Sequence, residues 1–357
     1  MRPAESPGAD YAALRHAVVT AGLLDRTYGY YVLRGGATFG LLAVAVALSA
    51  LLPASPGWLL LTAPLLAFSV VQVALIGHDA GHLEVFRSTP WNWALGSLCW
   101  SLVAGIGFRY WNDRHNRHHG HTNDAEEDPD LRGEGLLAVA YTALDGGSRT
   151  GWRRIAVRYQ SLLIPVVVAL FAFAFRVEGT AFAWTRLSGG RRAGEMALLG
   201  ANAGIWLAAF AALGWRSVAL FACSQVLASL YLSAIIAPNH KGMPVWARGV
   251  RLSFLERQVL GSRNVTSHPV WDFLFGGLNY QIEHHLFPTM PRVNFRRARA
   301  IVKPFCAVRG LEYTEVDPLT SYRLVVTALK SLQQVADQPE ARLAPTGPVP
   351  PGRPGPP

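Results

Sequence analysis

The chain has 357 residues, of which 51% are hydrophobic and 16% are charged, and its formal net charge is +10 at pH 7. This balance is more apolar than that of a soluble domain, so we expect an integral membrane protein. The basic residues lie between long apolar runs and not in a patch interleaved with aromatic residues. We therefore expect a lipid bilayer, and not nucleic acid, as the partner of this charge. The 3 cysteines form no CxxC pair, which excludes a disulfide framework.

Residues 1–36 are polar and mixed and show no secretory signal sequence, so we interpret them as a cytoplasmic N-terminal segment. No residue between Arg34 and His78 is charged, and a Pro- and Gly-containing stretch at 53–57 interrupts this apolar run. At roughly 20 residues per crossing, the run predicts two membrane helices at about 37–53 and 57–77, joined as a hairpin. Arg flanks the hairpin but is missing from its turn, which predicts that both ends face the cytoplasm.

Two shorter apolar runs, at 91–108 and 161–175, are predicted to be interfacial or re-entrant helices. The second run is too short to span a bilayer. The first is constrained by the histidines on either side of it. If it crossed the membrane, His115 would lie on the opposite side from His78, and the two side chains could share no metal ion.

A second hairpin is predicted from the apolar runs 196–214 and 218–237. The predicted fold is thus an all-α integral membrane protein with four transmembrane helices in two hairpins, two interfacial helices and a cytoplasmic cap. The membrane domain covers residues 37–315, and 316–337 form a C-terminal cytoplasmic segment. The tail 338–357 is rich in Pro and Gly, which predicts disorder.

Seven of the 11 histidines fall into three short clusters. The spacings i, i+3 and i+4 place the side chains of each cluster on one helix face. Histidine is the commonest metal ligand, and imidazole suits Fe, Zn, Cu and Ni, so the clusters predict a metal site. The clusters are His78 with His82, His115 with His118 and His119, and Gln281 with His284 and His285.

Eight imidazoles would give two metal ions four nitrogens each, and His268 is the candidate for the eighth. It follows Asn264 by four residues, so both side chains can share a helical face. His240 comes directly after the fourth predicted span, and for it we favour an interfacial hydrogen bond over metal binding.

Charged residues near the clusters invite several interpretations. Asp79, Asp113 and Glu283 sit beside histidines and either accept the second ring N–H of a ligand or are simply exposed at the surface. The acidic stretch 122–130 is interpreted as a solvated surface loop. The basic run 292–303 can dock an acidic electron donor or the phosphates of a CoA thioester, and cytoplasmic anchoring explains it equally well.

The three clusters resemble the three histidine boxes of the membrane-bound fatty-acid desaturases, over roughly residues 37–315. The third cluster lies in Asn279-Tyr280-Gln281-Ile282-Glu283-His284-His285-Leu286-Phe287-Pro288. Its Gln281, where other branches carry histidine, resembles the front-end acyl desaturases in particular. The resemblance implies two iron ions, dioxygen as co-substrate and removal of two hydrogens from an acyl chain. It assigns iron binding to the seven clustered histidines and His268, a water-mediated contact to Asn264, and an altered ligand position to Gln281.

Front-end desaturases often carry a fused haem cytochrome domain marked by His-Pro-Gly-Gly, and that tetrapeptide is absent here. We therefore expect electrons from a separate ferredoxin or cytochrome, with a fatty acyl-CoA or membrane lipid as substrate. A hydroxylase, an acetylenase, or a desaturase of sphingolipids or specialised lipids on the same scaffold remains an alternative. A metal- or haem-binding transporter without catalysis would need ionisable residues inside the spans, and the four predicted spans contain no Asp, Glu, Lys, Arg or His.

Overall fold

The computed structural model describes residues 7–53, 55–131, 151–247 and 249–336, and this part of the chain is mostly helical. Strands β1 (Asn264–Val265) and β2 (Glu315–Val316) pair in parallel. A π-helical segment (Leu98–Ala104) precedes α5, and a 3₁₀ turn (Arg292–Asn294) precedes α14. The α-helices are α1 (Pro7–Thr20), α2 (Tyr28–Leu51), α3 (Pro56–Gly81), α4 (Thr89–Ser97), α5 (Phe108–Gly120), α6 (Gly151–Arg158), α7 (Gln160–Ala169), α8 (Phe171–Arg186), α9 (Gly189–Leu213), α10 (Trp215–His240), α11 (Phe254–Leu260), α12 (Pro269–Leu274), α13 (Gln281–Leu286), α14 (Phe295–Val308) and α15 (Pro318–Ala336).

Within the described ranges, four helices are long and apolar enough to cross a membrane: Tyr28–Leu51, Gly57–Gly81, Gly189–Leu213 and Trp215–His240. They coincide with the four predicted spans, although α2 begins inside the predicted N-terminal segment. Helices α7 and α8 pass the same test as a pair and meet at an angle of 49°. The apolar run 161–175 is therefore part of a bent helix pair.

Helix α3 packs against α2 on one side and α10 on another. Val71 and Leu75 of α3 form a buried apolar cluster with Ala228 and Ile235 of α10. Gly214 separates α9 from α10 with a φ of +60°, a left-handed conformation that glycine adopts without steric cost. The chain thus reverses within one residue, and α10 runs back beside α3.

The apolar run 91–108 does not form one straight helix. Helix α4 ends at Ser97, the π-helical segment follows, and Gly105 reverses the chain with a φ of +71° before α5 begins. Trp100 packs against Ala74 of α3 in a buried cluster, which fixes this compact turn to the central helix. The shape agrees with the prediction that this run does not carry the second histidine cluster across the membrane.

Helices α1, α11, α13 and α14 form a cap with a core of its own. Leu14 of α1, Leu255 of α11, Ile282 of α13 and Val302 of α14 are all buried in it. The predicted N-terminal segment 1–36 therefore contains α1, which belongs to the cap core, and the first turns of α2. The predicted segment 316–337 contains α15, and the predicted tail 338–357 lies outside the described residues.

Candidate metal centre

Four helices bring histidines to one end of the membrane bundle. Helix α3 carries His78 in its last turn, and His82 follows directly after the helix. Helix α10 ends at His240, on the same side, because α10 returns beside α3. The second cluster lies on α5 and the third on the short, fully buried helix α13.

Four imidazoles form the first group: His78, His82, His115 and His284. One ring nitrogen from each lies within 4.8 Å of those of the other three. The Nε2 atoms of His82 and His115 are only 2.9 Å apart. Three elements remote in sequence therefore meet at one point, which is the arrangement that the spacing of the clusters predicted.

The second group contains His118, His240 and His285, again with nitrogens within 4.8 Å of one another. His118 Nε2 lies 3.3 Å from His240 Nε2. His119 lies between the groups. Its Nε2 is 3.2 Å from His115 Nε2, and its ring stacks on His285 with centroids 4.1 Å apart. The two groups thus adjoin and contain eight imidazoles with His119.

The prediction that His268 supplies the eighth imidazole is wrong. Its exposed side chain caps α12, where Nδ1 accepts a hydrogen bond from the Val270 N–H at 3.2 Å. His240, which we expected to make only an interfacial hydrogen bond, takes that place. The missed signal was its position directly after a predicted span, because a hairpin that returns the chain also delivers its last residue to the side where the histidines meet.

Four of the rings have Nδ1 held by a neighbouring acceptor. A donated Nδ1–H fixes the tautomer and places the lone pair on Nε2, which is the usual support for a metal-binding histidine. The contacts run from His78 to Asp79 Oδ1 at 3.3 Å, from His118 to both Asp128 oxygens at 3.0 Å, from His240 to the Gly261 carbonyl at 3.0 Å, and from His285 to Gln258 Oε1 at 2.9 Å.

Other ring nitrogens of the site have no hydrogen-bond partner in the protein. Nε2 of His78, His284 and His285 is buried without a hydrogen-bond partner. Burial lowers the pKa of His82 to about 3, and burial with neighbouring imidazoles lowers the pKa values of His284 and His285 well below 6.5. Neutral imidazoles with converging lone pairs are unfavourable unless a cation lies between them. The donor set therefore fits metal ions that accept nitrogen ligands.

The acidic stretch 122–130 is not simply a solvated loop. Asp128 is fully buried and accepts hydrogen bonds from His118 Nδ1 and from the N–H groups of Asn123 and Asp130, both at 2.8 Å. Burial lowers the pKa of His118, but the hydrogen bond and charge of Asp128 outweigh burial and raise that pKa above its usual value. The interpretation as a surface loop is wrong for Asp128, which orients a ring of the second group.

Asn264 has a different set of contacts from the one expected. Its Oδ1 accepts from the Ile282 N–H at 2.9 Å, and Nδ2 donates to Glu283 Oε2 at 2.7 Å and to Tyr313 Oη at 2.6 Å. Both amide hydrogens of Asn264 and one acceptance at its Oδ1 are thus used by protein groups, and the water-mediated contact to a metal stays a prediction. Glu283 likewise accepts from Asn264 and Tyr313 and not from a histidine. These contacts fix the backbone of α13.

Gln281 and Asp79 both lie beside the imidazole groups. Gln281 Nε2 is 2.9 Å from His240 Nε2, and its Oε1 accepts from Asn239 at 2.9 Å. Asp79, besides facing His78, pairs with the buried guanidinium of Arg292. Arg292 belongs to the segment after the third cluster, so this ion pair ties the first cluster to the third.

The fold and the site define an integral membrane protein with a buried, histidine-rich site for two metal ions. The sequence profile of the family described as "Fatty acid desaturase" matches residues 56–317. The match covers more than half of the chain and all three histidine clusters. The chain belongs to this family and is a fatty acid desaturase.

Individual relatives extend over most of the chain. It is 28% identical over 338 residues to the Delta(6)-fatty-acid desaturase fat-3 of Caenorhabditis elegans, covering 91% of this chain and 75% of that protein. It is 30% identical over 336 residues to Fatty acid desaturase 3 of Bos taurus, covering 90% and 72%. It is 27% identical over 359 residues to a Delta 8-(E)-sphingolipid desaturase of Kluyveromyces lactis, covering 92% and 59%.

Proposed function

We propose that this enzyme inserts a double bond into a fatty acyl chain in a reaction that uses dioxygen and two iron ions. The observation that carries the proposal is the convergence of eight imidazoles from four helices into two adjoining groups. In this proposal the first group holds one ion and the second holds the other, with His119 between them. His240 replaces His268 in the set of eight ligands.

Iron with dioxygen would supply the oxidising power to remove hydrogens from an unactivated methylene, which acid–base side chains cannot do. The protein contributes geometry and the exclusion of water. Asp128, Gln258 and the Gly261 carbonyl orient the rings that they contact through Nδ1. His284 is fully buried and His285 nearly so, so bulk water has little access to the centre of the site.

We place this site on the cytoplasmic side of the membrane. Arg34, Arg191 and Lys241 lie near the ends of α2, α9 and α10 that share the histidine side, whereas residues 52–56 between α2 and α3 contain no Lys or Arg. An excess of Lys and Arg in short loops marks the cytoplasmic side. Arg216 at the start of α10 is the exception, and it is held by the Leu52 carbonyl at 3.0 Å.

For the substrate we propose a fatty acyl chain that is desaturated near its carboxyl end. The support is Gln281 in the third cluster and the similarity to a relative named as a Delta(6)-fatty-acid desaturase. A sphingolipid substrate is the second candidate, because one relative of similar identity is named as a Delta 8-(E)-sphingolipid desaturase. Electrons would come from a separate one-electron carrier protein.

A matched pair of histidine substitutions tests the ligand set. Purified enzyme should contain about two iron ions per chain, and His240→Ala should lose about one of them. His268→Ala should retain both, because its side chain is exposed and caps α12. Equal iron in both variants would contradict the assignment of His240. Loss of iron only from His268→Ala would restore the prediction made from sequence.

The product distinguishes the candidate reactions. Mass spectrometry of lipids from a host that expresses the enzyme should show fatty acids that have lost two hydrogens, with the new double bond located by fragmentation. A product that gains one oxygen would indicate hydroxylation. New double bonds confined to sphingoid bases would favour the second substrate. The control host expresses His285→Ala, which removes a ring from the second group.

A further inference from the structure

Helix α14 has an unusual charge distribution. Between Phe295 and Val308 it contains three arginines and one lysine and no acidic residue. Some of these charges are neutralised within the protein: Arg299 and Lys303 both pair with Glu315, at 2.6 Å for the closest atoms.

Arg296 and Arg297 differ from these neighbours. Both side chains are exposed, and neither forms an ion pair with any residue in the described ranges. A third cation lies close by, because Asn294 donates to the Leu23 carbonyl at 2.8 Å and brings the α1–α2 connection against the start of α14. In that connection, Arg26 donates to the Thr289 carbonyl at 3.0 Å. The start of α14 and this connection together carry three arginines and one acidic residue, Asp25, and so have a net positive charge.

The same turn of α14 contacts the metal centre through Phe295. Phe295, directly before the two arginines, is buried, and its ring centroid lies 5.9 Å from that of His284 at an interplanar angle of 73°. His284 belongs to the first imidazole group. The helix face opposite the arginines packs in the cap core through Ala298 and Val302. A protein bound over Arg296 and Arg297 would therefore be close to an imidazole of the site without entering the membrane.

We propose that Arg26, Arg296 and Arg297 form the docking surface for an acidic one-electron carrier protein. The inference rests on the proposed function, which needs an external reductant. Conversion of two C–H bonds to a double bond supplies two electrons, and reduction of one dioxygen to two waters takes four. Two carrier molecules, each oxidised by one electron at this surface, supply the other two, and two protons come from solvent. Opposite charge on the partner would steer encounter and set the register of binding.

The test compares two double variants of equal charge change. Arg296→Glu with Arg297→Glu reverses the proposed surface, and Arg251→Glu with Arg323→Glu reverses two exposed arginines elsewhere. Two acidic probes are titrated onto the purified enzyme: a plant-type [2Fe–2S] ferredoxin and the soluble haem domain of cytochrome b5. We expect the Kd of at least one probe to rise about 10-fold in the first variant only. Added salt should weaken binding to the native enzyme and to the control.

Activity gives an independent measurement. In a single turnover, the enzyme is reduced by methyl viologen and dithionite without dioxygen, freed of excess reductant and then given dioxygen, so that no carrier has to dock. The first variant should form product at the native rate in this experiment, whereas its KM for the carrier should rise in carrier-driven turnover. Unchanged carrier binding in that variant would overturn the docking surface. So would an equal loss of product in the single turnover, which would indicate a structural role. If the first variant binds both carriers normally and loses only its binding to vesicles that contain phosphatidylserine, the surface binds lipid and the proposal is overturned.

The docking surface and the proposed function can fail separately. If the native enzyme binds a carrier through Arg296 and Arg297 but forms no unsaturated product with either reductant, the proposed reaction is wrong and the surface stands. If product forms with dithionite while neither probe binds in a salt-sensitive manner, the reaction stands and the surface is wrong.

Discussion

Replacing Asp128 with asparagine should weaken metal binding without unfolding the protein. Asp128 is buried and lies with both oxygens 3.0 Å from His118 Nδ1. It also accepts from the N–H groups of Asn123 and Asp130. The asparagine side chain has the same shape and keeps one oxygen, but an NH2 group replaces the other oxygen. This NH2 group would face the N–H group of His118, Asn123 or Asp130, which needs an acceptor. The negative charge that holds the His118 Nδ1–H is lost as well.

The size of the effect follows from these contacts. Removing the partner that orients a metal-binding histidine typically costs 10–100-fold in metal affinity, so we expect a loss of about that size for one of the two ions. One buried N–H left without an acceptor costs roughly 1–3 kcal/mol, which a protein of this size should survive. Asp130, whose Oδ2 is 3.7 Å from His118 Nδ1, should limit the loss.

The assay is a competition titration with a chelator that follows bound iron, together with thermal unfolding of the same samples. Glu127→Gln is the matched control, because it removes one negative charge from the same loop at an exposed position. It should leave both measurements at native values. If Asp128→Asn is folded and binds both ions with native affinity, either His118 is not a ligand or Asp128 does not support it.

Three further predictions concern stability. Arg263 is a buried arginine whose guanidinium donates to two backbone carbonyls at the end of α10. Arg263→Met leaves both carbonyls unpaired, at a cost of ~1–3 kcal/mol each. The substitution should therefore lower the unfolding temperature and the iron content together. Burial raises the pKa of Glu315, but the hydrogen bonds and charges of Arg299 and Lys303 outweigh burial and lower that pKa below its usual value. Glu315 therefore stabilises the fold fully above pH 4.5, and this stabilisation is lost as the pH falls below that value. Glu315→Gln should make the unfolding temperature depend less on pH below 4.5, and an unchanged dependence would contradict this. A Cβ added at Gly77 would lie 2.6 Å from the Trp100 side chain, so Gly77→Ala should lower the free energy of unfolding by about 1–3 kcal/mol. A variant with native stability would show that the π-helical segment can move to make room for the methyl group.

The sequence determined the residue types and their local geometry. Runs of about 20 apolar residues fixed where the chain can cross a membrane, since a helix of that length spans the hydrocarbon layer and satisfies its backbone hydrogen bonds internally. Helical periodicity fixed which histidines share a face, so spacing along the chain was enough to predict seven of the imidazoles that meet. These features depend only on residues that lie close together in the sequence, so they can be predicted without knowledge of the fold.

The tertiary structure decided which remote residues complete the site. His240 and His268 are both isolated histidines in the sequence, and only the return of α10 beside α3 separates the buried ring from the exposed one. Asp128 looked like part of a solvated loop because its burial depends on how that loop folds onto α5. The contact between Arg292 and Asp79 joins positions 213 residues apart. Such pairings are set by how helices pack in three dimensions, and local patterns of spacing and hydrophobicity do not reveal that packing.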